Sequence, residues 1–151
     1  MNGKIRAKAI NNRSFSRYLL DGLYFDSIPE LAYYIYCKDN KIRVVYHPKD
    51  KRIEYLDKYG KRHTYCPDFY NLDENRLYEV KGSLFYENHD YNRKPINPFN
   101  RDKDYIAEAK FECMRKNNVY IVTDVEYNGY ISYVKEKYGK KFFEKCAIKR
   151  N

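Results

Sequence analysis

The chain lacks any cysteine pair at metal-ligand spacing: Cys37, Cys66, Cys113 and Cys146 are scattered with no CxxC among them. They read as reduced, partly buried thiols, which argues against structural zinc and against a disulfide framework. Histidine is scarce too. His47, His63 and His89 are too dispersed for a metal triad, and His89-Asp90 with Asn92 is a poor match to a ββα-metal nuclease. His63 reads as a surface or core histidine rather than a phosphate contact. There is no Walker loop, no GxGxxG and no Ser-His-Asp arrangement, so ATP-driven or nucleotide-cofactor chemistry has no support. No signal pattern or apolar run of membrane-spanning length is present, and the expectation is a cytoplasmic protein that does not meet a membrane.

Acidic residues are also missing from one end. Residues 1 to 18 carry Lys4, Arg6, Lys8, Arg13 and Arg17 against no acid, a charge of +5. Residues 135 to 151 carry seven basic residues against Glu136 and Glu144, again +5, so a total of +9 leaves the centre at −1. Both ends read as grips for a polyanion, and the acidic chemistry sits between them. An apolar content of 43% and 19 tyrosines argue against disorder, and 151 residues suit one domain, 1–151, around one core. Enrichment in Asn, Lys and Tyr is what an AT-rich genome encodes, which suits a phage or a low-GC bacterium.

The most informative stretch runs from Tyr65 to Gly82. Two apolar runs, Tyr65 to Tyr70 and Leu77 to Val80, flank the polar turn Asn71-Leu72-Asp73-Glu74-Asn75, the pattern of a β-hairpin. With the turn centred between Asp73 and Glu74, residue i lies opposite 147 minus i, so Asp68 faces Glu79. Alternation puts Glu79 and Lys81 on one face and Val80 on the other, toward the core. Adjacent carboxylates repel and raise one another's pKa, a penalty that a hard, oxygen-ligated cation removes. Mg²⁺ is commonly held by one or two carboxylates with water and substrate phosphate. Lys81 would then neutralise charge on a phosphate and help hold the attacking water. The plainer alternative is a surface hairpin with a charged solvent face.

Pro67-Asp68 followed by Glu79-Val80-Lys81-Gly82 resembles the PD-(D/E)XK nuclease superfamily, in particular small phage-type members such as endonuclease I-like Holliday-junction resolvases and transposon-end endonucleases. The resemblance spans roughly Ser27 to Asp124. It implies a third acidic ligand on the first core helix, and Glu30 is the acidic residue placed to supply it. Ile28, Leu31, Ala32 and Ile35 follow the spacing of a core-facing helix, with Glu30 off that stripe beside Tyr33, Tyr34 and Cys37. Ser27-Ile28-Pro29-Glu30 is also a capping box, in which Glu30 would only satisfy the Ser27 amide. The resemblance further implies the Val80 carbonyl as a ligand.

The rest of the chain reads as one α/β unit. A helix over 28–39 precedes strands at Lys41–His47, Arg52–Tyr59 and Arg62–Tyr70, and Arg76–Lys81 completes a meander. Residues 82 to 103 form a long polar connection of the kind that is functional or mobile. Asp104–Asn117 reads as a helix with Tyr105, Ile106, Ala109 and Cys113 inward, its Lys103, Lys110, Arg115 and Lys116 forming the wet side. Val119–Val122 reads as a buried parallel strand. A helix broken near Gly139 covers Asn128 to Lys145, giving a basic C-terminal helical tail. The expectation is a restriction-endonuclease-like αβββαβ core with a mixed central sheet, the order the resemblance also implies. The expected activity is that of a Mg²⁺-dependent DNA endonuclease, with Mn²⁺ as substitute, Glu30, Asp68, Glu79 and Val80 as ligands, and Lys81 as the electrostatic and water-positioning group. A noncatalytic nucleic-acid-binding module is the alternative. Without an obvious second DNA-reading domain, recognition of DNA structure, or pairing with a second copy or a partner subunit, is expected over long-sequence readout.

Overall fold

The computed structural model describes residues 17–148, so most of the expected basic arm and the last residues of the basic tail lie outside the described residues. The first element is a hairpin of β1 (Arg17–Leu20) and β2 (Leu23–Phe25). Its two-residue turn has φ of 53° at Asp21 and 77° at Gly22, the positive values of a type I′ turn, whose twist matches the flanking strands. This hairpin is not among the expected strands, although Asp-Gly between Tyr18-Leu19-Leu20 and Leu23-Tyr24-Phe25 is its usual signature.

Helix α1 (Ile28–Asp39) begins at the cap Ser27, whose side chain accepts the Glu30 amide, with Pro29 in the first turn. Strand β3 (Val44–Tyr46) follows, then a separate two-stranded hairpin of β4 (Ile53–Leu56) and β5 (Arg62–Tyr65). Next come β6 (Phe69–Asn71) and β7 (Arg76–Val80), helix α2 (Asp104–Lys116) and β8 (Tyr120–Val122). Helices α3 (Asp124–Tyr138) and α4 (Phe142–Cys146) and the short β9 (Ala147–Ile148) complete the described chain. Among the described residues no helix is long and apolar enough to cross a membrane.

The central sheet is mixed, ordered β3-β6-β7-β8, with antiparallel pairing from β3 to β7 and parallel pairing of β7 with β8 across α2. Two expected strands are corrected. Arg62–Tyr70 is divided at Cys66-Pro67-Asp68, because a proline has no amide to give to a ladder. The part before the break pairs with β4 away from the sheet, and the part after it enters the sheet, so the expected meander does not form. Lys41–His47 shortens to β3, with Lys41 and His47 at φ of 60° and 50° bounding it.

Helix α1 buries Leu31, Ala32 and Ile35 as expected, and Tyr33 and Cys37 as well. The reason is that α1 is covered on two sides: the Tyr33 ring packs against Phe69 and Tyr78 of the sheet and against Tyr130 of α3. Phe25, Leu31, Ala32, Cys37, Phe69, Val122 and Val134 are the fully enclosed members of this core. Truncating Phe69 to alanine there would cost about 3–5 kcal/mol. On the opposite face, α2 sets Cys113 and Met114 against Tyr65 and the β4–β5 hairpin, forming a second, smaller cluster.

The C-terminal segment is not a free helical tail. The helix starts at Asp124 rather than Asn128, and it breaks at Gly139, where φ is 109°, a value that favours glycine. Beyond the break Phe143 is buried, and β9 pairs with β1 through Tyr18–Ala147 and Arg17–Ile148.

Candidate active site

The hairpin ladder pairs Phe69 with Tyr78, Tyr70 with Leu77 and Asn71 with Arg76, the register expected from the turn. Asn71 supports that turn by accepting the Glu74 amide, while Asp73 receives both the amide and the guanidinium Nε of Arg43. One step beyond the ladder, Asp68 lies where the register sets it against Glu79. Its carbonyl accepts the His47 amide at 2.8 Å, and its carboxylate Oδ2 accepts the Val80 amide at 2.8 Å. The side chain thereby takes over the hydrogen bond that the strand no longer supplies.

Asp68, Glu79, Val80 and Lys81 line one cavity of about 550 Å³ together with Asp26 and Glu30. Three separate elements deliver them: β2 brings Asp26 at its end, α1 brings Glu30, and the β6–β7 hairpin brings the rest. Glu79 is 4% exposed. Its Oε1 accepts the Tyr65 hydroxyl at 2.8 Å, and its Oε2 lies 3.8 Å from Lys81 Nζ and 3.7 Å from Lys110 Nζ. Val80 packs into the core on the other face, as alternation requires.

Glu30 resolves the question raised by its position in a capping box. The Ser27 hydroxyl accepts the Glu30 amide at 3.3 Å, so the cap itself forms. The Glu30 carboxylate turns toward the cavity instead, where Oε1 accepts the Tyr46 hydroxyl at 2.6 Å.

Burial dominates the electrostatics. It pushes the Asp68 carboxyl well above the ordinary range, reinforced by the neighbouring Glu79 and Glu30 charges. Burial likewise raises Glu30 to about 7, with Asp26 and Glu79 adding to the shift and the Tyr46 hydroxyl opposing it. Lys81 is lowered, first by burial and then by the Lys110 ammonium beside it, against the pull of Glu79. These are the conditions that a bound cation relieves, because it stabilises every carboxylate at once.

The structure groups the donors differently from the expected triad, sharing only Glu30 with it. Among the described residues, the three donor atoms lying within 4.8 Å of one another belong to Asp26, Glu30 and His47. Neither Asp68 nor Glu79 belongs to that group: Tyr65, Lys81 and Lys110 engage the two oxygens of Glu79, and the Val80 amide engages Asp68 Oδ2. Asp26 is itself 3.4 Å from Arg17 Nε and 3.9 Å from His47 Nε2.

Several site residues escaped the sequence. Asp26 and His47 stand at strand ends, Tyr46 and Tyr65 read as core aromatics, and Lys110 reads as the wet side of α2. Nothing local marks Lys110 apart from its neighbours; α2 must pack on the sheet before it meets Glu79. His63 is not part of the site: its Nε2 lies 2.8 Å from Asp57 Oδ2, and Asp57 also accepts the Tyr59 and Lys61 amides, so the histidine braces the β4–β5 turn. In comparison with known proteins, no family model matches the chain, and no curated protein or solved structure matches it.

Proposed function

We propose that this protein is a metal-dependent DNA endonuclease of the PD-(D/E)XK type, hydrolysing phosphodiester bonds in the cavity bounded by Glu30, Asp68, Glu79 and Lys81. The observation that carries the reading is the convergence of these four residues from α1, the start of β6 and the end of β7 on one cavity. The order α1, β3, β6, β7, α2, β8, with β4–β5 as an outlying hairpin, supports a restriction-endonuclease-like core.

The expected ligands Glu30, Asp68 and Glu79 offer only carboxylate oxygens, which suits a hard divalent cation such as Mg²⁺, with Mn²⁺ as substitute. Glu30, Asp68, Glu79 and the Val80 carbonyl would hold it. When bound, the ion supplies Lewis-acid polarisation of the phosphate and acidifies a water ligand.

The protein's own groups do the rest. Lys81, shielded from solvent and aimed into the cavity, donates to a phosphate oxygen and orients the water that attacks phosphorus. Glu79, held by the Tyr65 hydroxyl, fixes Lys81 through their ion pair. The bond from phosphorus to the leaving oxygen breaks as the bond to the water oxygen forms, the attacking water giving its proton to solvent and the leaving oxygen taking one from solvent, and Lys110 adds a second ammonium to the developing charge. A shape-selective role, such as cleavage at junctions, agrees with basic ends that grip phosphate without reading bases.

One observation favours a rival. Glu79 already receives a hydroxyl and faces two ammonium groups, the pattern of a closed structural cluster, which a noncatalytic DNA-binding module would also show. Incubating the full chain with a four-way junction, nicked plasmid and linear duplex, in Mg²⁺ and in EDTA, separates the two. Metal-dependent strand breaks that vanish in Asp68→Asn are expected. Intact DNA on all three substrates in both Mg²⁺ and Mn²⁺ would leave the binding module.

A further inference from the structure

A second cavity of about 240 Å³ opens beside the carboxylates, between the 82–103 connection and α2. Phe85, Phe99 and Phe111 line it together with Lys81, Lys103 and Lys110, and Lys81, Phe85 and Phe99 also line the carboxylate cavity. Its mouth is marked by an anomaly. The Phe99 ring is 80% exposed, packed edge-on to Phe85 with 6.1 Å between ring centroids.

The exposure is not that of a loose loop. The Asn97 side chain accepts the Phe99 and Asn100 amides, both at 3.0 Å, and the Asn97 amide in turn donates to Asp104 Oδ1 at 2.8 Å. Buried Tyr86 and Ile96 anchor the same connection to the body of the protein. An apolar ring is thus held out to solvent by ordered backbone, which preorganises it for a partner.

The partner's chemistry follows from the wall. It needs an apolar, planar face to cover Phe99 and anionic groups to meet the three lysines. Lys81 lies 4.2 Å from the Phe85 centroid and so already pairs a cation with an aromatic face. A nucleotide combines both requirements in one unit. The volume suits a single base and falls short of the pockets that take drug-sized ligands. A base stacked within a duplex cannot present its face to a side pocket; an unpaired one can.

We propose that this cavity receives an unpaired nucleobase of the DNA strand next to the phosphate at Lys81, with the base stacked on Phe99 and the phosphate on its far side on Lys103. The inference rests on the nuclease reading for the placement of that phosphate. It names the substrate class as DNA with an unstacked nucleotide, such as a single-stranded end, a flap or the centre of a branched structure.

The test uses the full chain in EDTA, so that binding is read without cleavage. Fluorescein-labelled single-stranded DNA and a blunt duplex of the same sequence are titrated by anisotropy. Phe99→Ala should weaken single-strand binding by about tenfold to a hundredfold, the loss of one stacked base, and duplex binding by less than about twofold. Phe99→Tyr should keep the single-strand affinity. With 2-aminopurine scanned through the single strand, at least one position should be quenched by the unmodified protein and by Phe99→Tyr but not by Phe99→Ala. Equal weakening on both DNAs, no weakening, or quenching that survives in Phe99→Ala would overturn the pocket. Parallel cleavage assays in Mg²⁺ keep the two proposals apart: a chain that cleaves but shows no Phe99 dependence refutes the pocket alone, and one that shows the dependence but never cleaves refutes the hydrolysis alone.

Discussion

Replacing Asp68 by asparagine should make the metal-free protein more stable at mildly alkaline pH and abolish its response to metal. Asparagine keeps an acceptor for the Val80 amide and removes one of the mutually repelling charges around the cavity. The sign follows from linkage. A carboxyl whose folded-state pKa is raised contributes stability that is fully present below its unfolded value and is lost as pH climbs through its folded value. For Glu30 that window runs from the ordinary 4.5 to about 7. Such a displacement corresponds to roughly 3 kcal/mol in metal-free protein. Asp68, also raised, adds to it in the same direction. At about 2–4 °C per kcal/mol, the metal-free melting temperature should fall by several degrees between about pH 5 and about pH 8. In Asp68→Asn the fall should be smaller, because the raised Asp68 carboxyl no longer contributes to it. Adding Mn²⁺ at about a hundredfold excess over its Kd should restore about 2.7 kcal/mol to the unmodified protein at the higher pH and nothing to the variant. Differential scanning fluorimetry of both proteins, with EDTA or Mn²⁺ at the two pH values, reads all of this. A melt of the unmodified protein that ignores Mn²⁺ at pH 8, with Asp68→Asn the less stable of the two in EDTA, would refute the reasoning.

Three further outcomes are expected. Glu79→Gln and Lys81→Ala should each lower single-turnover cleavage by at least about a hundredfold while leaving DNA affinity within about threefold, and Lys110→Ala should cost about tenfold, because these groups act on the reacting phosphate rather than on the duplex; a parallel loss of affinity would point to a binding role instead. Replacing Lys140, Lys141 and Lys145 by glutamine should flatten the dependence of log affinity on log salt by about 0.9 for each phosphate that is no longer neutralised. Point substitution is the suitable perturbation there, since deleting residues 140 to 151 would also remove buried Phe143 and the strand that pairs with β1; an unchanged slope would show these lysines to be only a solvated face. Gly82→Ala should destabilise by about 1–3 kcal/mol, as its new methyl would lie 2.6 Å from the Tyr127 hydroxyl, and Tyr127→Phe should recover most of that loss in denaturant melts.

What the sequence determined by itself is what short-range rules encode. The turn at Asn71 to Asn75 and the alternation on either side fix a register within a dozen residues, so the opposition of Asp68 and Glu79 and the inward Val80 were legible without coordinates. The stripe on α1 and the glycine break near residue 139 were legible for the same reason. The Asp21-Gly22 hairpin is equally local, carried by an Asp-Gly turn between two apolar triplets. Pro67 could also have warned that Arg62–Tyr70 is not one strand, but whether the part before it would join the sheet or leave it depends on what else packs there. That choice belongs to the tertiary structure. So do the arrival of Lys110 and Tyr65 at Glu79, the turning of Glu30 away from its cap toward Tyr46, and the pairing of β9 with β1. Each depends on elements distant in sequence being brought together by burial, and burial is a property of the assembled layers that no local spacing expresses. The same assembly decides the electrostatics: carboxylates that carry ordinary charges along an extended chain acquire raised pKa values only when the α1 end and the β6–β7 hairpin close around one cavity and bury them there.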